Sequence, residues 1–257
     1  MARVIAIANQ KGGVGKTTTT VNLSACLAVK GKRVLTIDID PQGNTTSGLG
    51  IDKTEVKESI YDVIINDLSL HETVMPTKIE TLGLSPSNIH LAGAEVELVS
   101  VISREMRLKS AIAEVKDQYD FILIDCPPSL GLLTVNALTA ADTILVPIQC
   151  EYYALEGLSQ LMNTVRIVQK HLNPALKVEG VVLTMFDART NLSIQVVEEV
   201  IKYFGNKVYR TIIPRNVRLS EAPSFGLPII LYDERSKGAE SYMELAEEVI
   251  MTAEGRQ

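Results

Sequence analysis

The chain has 257 residues, 46% of them hydrophobic and 22% charged, with a formal net charge of −6. That length and balance predict a single globular domain spanning 1–257 and exclude a disordered chain. No apolar run approaches the ~18 residues of a membrane span, and the acidic balance excludes polyanion binding by the whole surface, so any nucleic-acid role needs a local basic patch.

"RVIAIA" (3–8) is a short apolar strand running into a glycine-rich loop, and a helix from Lys16 to about Lys30 follows, stopped by Gly31. "RVLTIDID" (33–40) is the next strand and "PQGNTTSGLG" (41–50) a turn-rich loop. Residues 51–103 carry the weakest pattern: a helix near 58–66, a short strand at 82–87, a helix after Gly93, and no visible chemistry. The pattern sharpens with a helix at 104–117, the strand "DFILIDCPPS" (120–129), a helix through about 141 and the strand "TILVPIQC" (143–150). A long helix (154–171), the strand "VEGVVLTMF" (178–186), a helix near 193–204, a short strand near 208–213 and a terminal helix from about 238 complete the chain. Near-continuous apolar strands alternating with helices predict an α/β fold, a mostly parallel twisted sheet with helices on both faces.

Met1 leads directly into a strand without a signal-peptide pattern, which predicts a cytoplasmic protein. Cys26, Cys126 and Cys150 are odd in number, widely spaced and without a C-x-x-C pair or nearby histidine. They are expected to be buried thiols rather than a disulfide or zinc set. The tail "GAESYMELAEEVIMTAEGRQ" is too acidic for an anionic bilayer and is expected to pack Tyr242, Leu245, Ala246 and Val249 onto the domain.

The stretch "ANQKGGVGKTTTT" (8–20) matches the phosphate-loop pattern G-x-x-x-x-G-K-[ST] except that Gln10 replaces the first glycine and a second lysine, Lys11, follows it. Gly12, Gly13 and Gly15 let backbone N–H groups converge on one anion, and the helix from Lys16 adds its positive end. Lys16 then reaches the β- and γ-phosphates, the Thr17 hydroxyl is placed for Mg²⁺, and Val14 and Thr18 complete the binding segment. Asp125, closing "FILID", suits a Walker B carboxylate that holds Mg²⁺ through water. Asp40 opens a loop at the carboxyl end of a strand, where open α/β sheets bind ligands. Asp38, two residues earlier, is expected on the same strand face and in the Mg²⁺ shell. A carboxylate with a pKa near ~3.9 is a poor general base at neutral pH, which predicts slow turnover.

From 200 to 220, "VIKYFGNKVYRTIIPRNVRLS" carries lysines or arginines at 202, 207, 210, 215 and 218 and no acidic residue. With Arg189 from the preceding loop, this is the candidate surface for salt-sensitive, sequence-independent contact with nucleic-acid phosphates.

"KGGVGKT" resembles the deviant Walker A motif of the ParA, MinD and nitrogenase iron-protein group of P-loop ATPases. No glycine-rich cysteine loop of the iron-protein type is present. "IDIDPQGNTTSGLG", "ILIDCPPSLGLLTVNAL", "EYYALEGLSQL", "VVLTMFDART" and "PRNVRLSEAPSFGLPI" together resemble the chromosomal ParA subgroup called Soj over nearly the whole chain. The resemblance implies ATP and Mg²⁺ as cofactors, with Lys11, Lys16 and Asp40 catalytic. Lys11 crosses a dimer interface to the partner's ATP, and Asp40 orients the attacking water. It further implies an ATP-dependent sandwich homodimer, nucleoid-associated, that binds double-stranded DNA without sequence preference through Arg189 and Arg218, with Arg215 beside them. The segment Pro214 to Asn216 would line the adenine pocket. The implied partner is a ParB-like centromere-binding protein that stimulates hydrolysis and releases the dimer, with no membrane involved. Residues 1 and 2 leave no room for the helix-turn-helix extension of some plasmid ParA proteins. The alternative is a ParA/MinD-like positioning ATPase for a non-DNA cargo or matrix.

Overall fold

A computed structural model describes residues 2–151 and 156–255. The apolar runs form the strands β1 (Arg3–Ile7), β2 (Val34–Asp38), β3 (Met75–Pro76), β4 (Leu82–Ser85), β5 (Phe121–Asp125), β6 (Thr143–Gln149), β7 (Lys177–Phe186) and β8 (Val208–Pro214). Between them lie α1 (Lys16–Val29), α2 (Asn44–Gly48), α3 (Ile60–Ile65), α4 (Leu70–Thr73), α5 (Leu91–Glu97) and α6 (Arg107–Val115). The second half adds α7 (Leu132–Ala140), α8 (Glu156–His171), α9 (Asn191–Phe204), α10 (Val217–Glu221), α11 (Ile229–Tyr232) and α12 (Lys237–Ala253).

Among the described residues the strands make one eight-stranded sheet in the order β3-β4-β2-β5-β1-β6-β7-β8, parallel except at the β3–β4 pair. Side chains of a strand alternate between faces, so every apolar run feeds two cores. Val4, Ala6, Ile122, Ile124, Ile144 and Val146 pack beneath α6, α7 and α8, while Ile5, Ile7, Leu123 and Leu145 pack against α1 and α12. Tyr242, Leu245, Ala246 and Val249 of α12 are fully buried in the second core, as the tail's spacing predicts. Among the described residues no helix is long and apolar enough to cross a membrane.

Parallel strands place their carboxyl ends on one rim, and the loops after β1, β2, β5, β7 and β8 meet there. Several boundaries differ from the sequence expectation. The strands expected at 33–40 and 120–129 end at Asp38 and Asp125, which are register partners on adjacent strands; one more backbone bond follows each, Ile39 N to Asp125 O at 3.1 Å and Cys126 N to Ile7 O at 3.2 Å, before the chain turns away. The segment 41–50 is not a simple loop: Gly43 at φ 60° starts α2, and Asp38 accepts the Thr46 N–H at 2.8 Å. The helix expected after Gly93 starts at Leu91. The elements α4, β3, α10 and α11 have two to five residues, too short for a periodic signal. The first residues of the helix expected at 154–171, and part of "EYYALEGLSQL", lie outside the described residues.

Candidate active site

β1 hands the chain to the phosphate loop, where Gly13 and Gly15 take φ of 74° and 89°, left-handed values that strain any side chain. A Cβ at Gly12 or Gly13 would meet no atom within 4 Å, so the space beside these residues is open to a ligand. The loop is clamped from behind. Thr184 of β7 donates its hydroxyl to the Val14 carbonyl at 2.8 Å, and Asn9 donates to Pro147 O at 2.7 Å while accepting from Lys11 N at 3.1 Å. Lys16 is buried, and its Nζ donates to the Lys11 carbonyl at 3.1 Å. Burial lowers the Lys16 pKa, opposed by the nearby negative charge of Asp125 and Asp40. The Lys11 side chain is half-exposed and has no ion pair among the described residues.

Asp125 lies beneath three hydroxyls: Oδ2 accepts from Thr17 at 2.9 Å and Thr45 at 2.7 Å, and Oδ1 accepts from Thr20 at 3.0 Å. Asp38 Oδ2 accepts both the N–H and the hydroxyl of Thr46 at 2.8 Å, and Oδ1 accepts from Asp40 N at 3.2 Å. Burial raises the pKa of both carboxyls, Asp125 adds its repulsion at Asp38, and the hydroxyl bonds offset part of the effect. Asp38 and Asp40 do not share a strand face, because β2 ends at Asp38 and Asp40 sits in the turn beyond it. Asp40 is 8% exposed and accepts from Gln42 N at 3.0 Å. Asp38 thus acts as an anchor for α2, with Ser87 N donating to the same Thr46 hydroxyl at 2.9 Å.

Sequence reasoning missed Thr20, Thr45 and Thr46. A signal was present: residues three apart share a helix face, so the run "TTTT" (17–20) puts two hydroxyls toward one partner.

Beside the loop opens a cleft of about 350 Å³ lined by Gly15, Thr18, Met185, Pro214, Asn216 and Tyr242. Pro214 and Asn216 therefore share one wall system with the phosphate loop. The Asn216 side chain caps α10 by accepting from Arg218 N at 2.8 Å, and the Tyr242 hydroxyl is 3.2 Å from that of Thr19. Met185 holds φ 52°. A hollow of about 570 Å³ lies at the opposite edge, between the starts of β1, β5 and β6, away from this constellation.

The candidate arginines stand on the same rim as the cleft. Arg189 is bound to Asp187 (Nε–Oδ1 2.8 Å, Nη2–Oδ2 2.6 Å), and Arg215 lies 3.5 Å from Glu151 while its N–H donates to Phe186 O at 3.0 Å. Arg218 pairs with Glu221 at 2.9 Å and Asp233 at 3.4 Å. The basic stretch 200–220 is not one patch. Lys207 and Arg210 line a groove with Glu248 at the start of β8, about 20 Å from Pro214 at ~3.3 Å per residue. The three cysteines are buried and free, with thiols pushed up by burial.

The AAA_31 family model, an AAA domain, matches residues 2–178. The sporulation initiation inhibitor protein Soj of Bacillus subtilis is 67% identical over 249 residues, covering 97% of this chain and 98% of that protein. The chromosome partitioning protein ParA of Myxococcus xanthus is 56% identical over 97% of this chain and 88% of its own length. Among solved structures, one described as cobyrinic acid a,c-diamide synthase from Mycobacterium smegmatis, with bound ADP and magnesium, superposes with a TM-score of 0.89 at 39% identity over 100% of this chain and 97% of that one.

Proposed function

The chain belongs to the ParA/Soj family of P-loop ATPases, and from that premise we propose that it is an ATP-driven DNA-partitioning switch. In this reading an ATP-bound homodimer holds double-stranded DNA without sequence preference, and a ParB-like partner stimulates hydrolysis and release.

The site's own features fit magnesium–ATP. The glycines beside the loop leave open space, Thr17 places a hydroxyl against the Asp125 carboxylate, and a cleft of small-molecule size adjoins them. The loop N–H groups and Lys16 would hold the phosphates, Pro214 and Asn216 would border the base, and Thr17 with Asp125, the latter through water, would hold the metal. Magnesium, when bound, would supply charge neutralisation to the phosphates. Asp40, at the mouth of the same rim, orients the attacking water, and Asp38 fixes the turn that carries Asp40. Lys11, without an ion pair among the described residues, is available to the phosphates of a second subunit, so ATP favours the dimer through a contact that only the dimer makes.

The observation that carries the DNA reading is the shared rim. Thr184 touches the phosphate loop and Arg189 stands five residues later, so one short segment links the phosphate loop to the arginines. Fluorescence anisotropy of an arbitrary duplex, without nucleotide and with ADP or ATP–Mg²⁺ at two salt concentrations, tests it. Tight binding with ATP, far weaker binding without nucleotide or with ADP, weakening by salt and loss in Arg218→Glu are expected. Absence of binding in every state overturns DNA as the matrix and turns attention to a non-DNA cargo.

A further inference from the structure

Each arginine of the candidate DNA surface is already engaged by a carboxylate, a near neighbour in sequence for Arg189 and Arg218 and a distant one for Arg215. Arg189 is held by Asp187, Arg215 by Glu151, and Arg218 by Glu221 and Asp233. Three arginines face four carboxylates, so these arginines together with their partners offer a phosphate backbone no excess of positive charge. The pairings are built in rather than incidental. Asp187 Oδ1 also accepts the Arg189 backbone N–H at 3.0 Å, which sets the turn, and Glu221 Oε2 also accepts the Tyr232 hydroxyl at 3.1 Å. Asp187 further lies within the field of Arg215, so one carboxylate serves two arginines.

We propose that Asp187, Glu221 and Asp233 form an acidic mask that competes with DNA phosphates for Arg189 and Arg218. The mask makes stable DNA binding require two rims acting together. This inference rests on the DNA-partitioning reading. A phosphate reaching such an arginine exchanges one anion for another, and the net gain per contact is small because exposed ion pairs are individually weak. Doubling the number of contacts on one molecule converts small gains into useful avidity, and a dimer does this without any new side chain. The acidic partners thereby act as positioning residues that tie DNA affinity to assembly state.

The test uses the full chain and an arbitrary duplex, read by anisotropy with and without ATP–Mg²⁺. Asp187→Asn and the double variant Glu221→Gln/Asp233→Asn remove charge while leaving an acceptor oxygen for the turn and for Tyr232. Glu234→Gln removes one equal charge beside Asp233 from a residue that is exposed and has no ion pair among the described residues. Without nucleotide, each masked-site variant should bind about threefold more tightly than wild type, and their combination about tenfold, with the gain shrinking as salt rises. Glu234→Gln should gain clearly less. An equal gain from Glu234→Gln reduces the effect to net charge and overturns the mask. So does an unchanged nucleotide-free affinity in variants whose wild type binds DNA with ATP. Binding by the masked-site variants when wild type binds in no state would sink the dimer switch and keep the mask; no binding by any form overturns both. Thermal melting of each variant confirms that the fold is intact.

Discussion

Asp125 and Asp187 each close a parallel strand on the same rim, one at the end of β5 and the other just past β7, yet their surroundings differ in kind. Asp125 is buried under the hydroxyls of Thr17, Thr20 and Thr45, and burial lifts its pKa together with that of its neighbour Asp38. Asp187 lies at the surface against Arg189, which holds its carboxyl well below the usual range. Hydroxyls orient a negative charge without cancelling it, whereas a guanidinium cancels it outright. The buried half of the rim therefore holds carboxyls whose charged form a bound cation would favour, and the exposed half has already met its counter-ion. Strand position alone sets neither state; the second residue in contact does.

The largest expected break comes from Lys16→Ala, which removes the cation of the buried half. Affinity for a fluorescent ATP analogue should fall by at least about 100-fold, while Arg189→Ala leaves it within about twofold. Loss in both would erase the division between the halves. Next in size is Thr46→Val, which strips Asp38 of a hydroxyl donor and leaves Ser87 N without its acceptor. A cost of about 2 kcal/mol in urea unfolding is expected, and a change near zero would show that the anchor on α2 bears little strain.

A smaller effect separates the halves by pH. Asp38 and Asp125 have native pKa values raised above the unfolded value, so the native state holds more protons. Their contribution is full below about pH 4 and is lost as pH rises through the raised values. Asp187 has the opposite sign: its contribution is present above the usual carboxylate range and lost as pH falls below it. Thermal melting without nucleotide or magnesium should thus lose stability between about pH 5 and about pH 8, and Asp38→Asn should flatten that slope. A slope unchanged by Asp38→Asn would remove the buried pair as its source.

How much of this was legible in the sequence follows the same division. The phosphate loop is contiguous, so Gly12 to Thr18 could be read in one pass, and Asp125 announced itself by ending an apolar strand. The threonine shell was half legible: Thr20 shares a helix face with Thr17, whereas Thr45 lies 80 residues from Asp125 on the five-residue α2, too short for a periodic signal. Pro214 and Asn216 came from family resemblance, and Met185 and Tyr242 carried no local sign of the cleft they line. The stretch 200–220 looked basic because it contains no acid, yet Glu151, Glu221 and Asp233 pair with its arginines from outside that window. In 51–103 the strongest usable sign was Ser59 with Asp62, which closes a capping box at the start of α3.

The bond from Lys16 Nζ to the Lys11 carbonyl, 3.1 Å long, has a consequence for which ligands the loop accepts. The ammonium rests on a neutral acceptor of its own chain, and only a charged oxygen that reaches as deep offers a stronger bond. A nucleoside monophosphate, too short to reach Lys16, leaves that bond closed and gains nothing from it. Affinity should step upward from AMP to ADP in a competition titration, with equal affinities counting against the bond. With such a step the loop would work as a ruler, measuring the length of a phosphate chain before any chemistry begins.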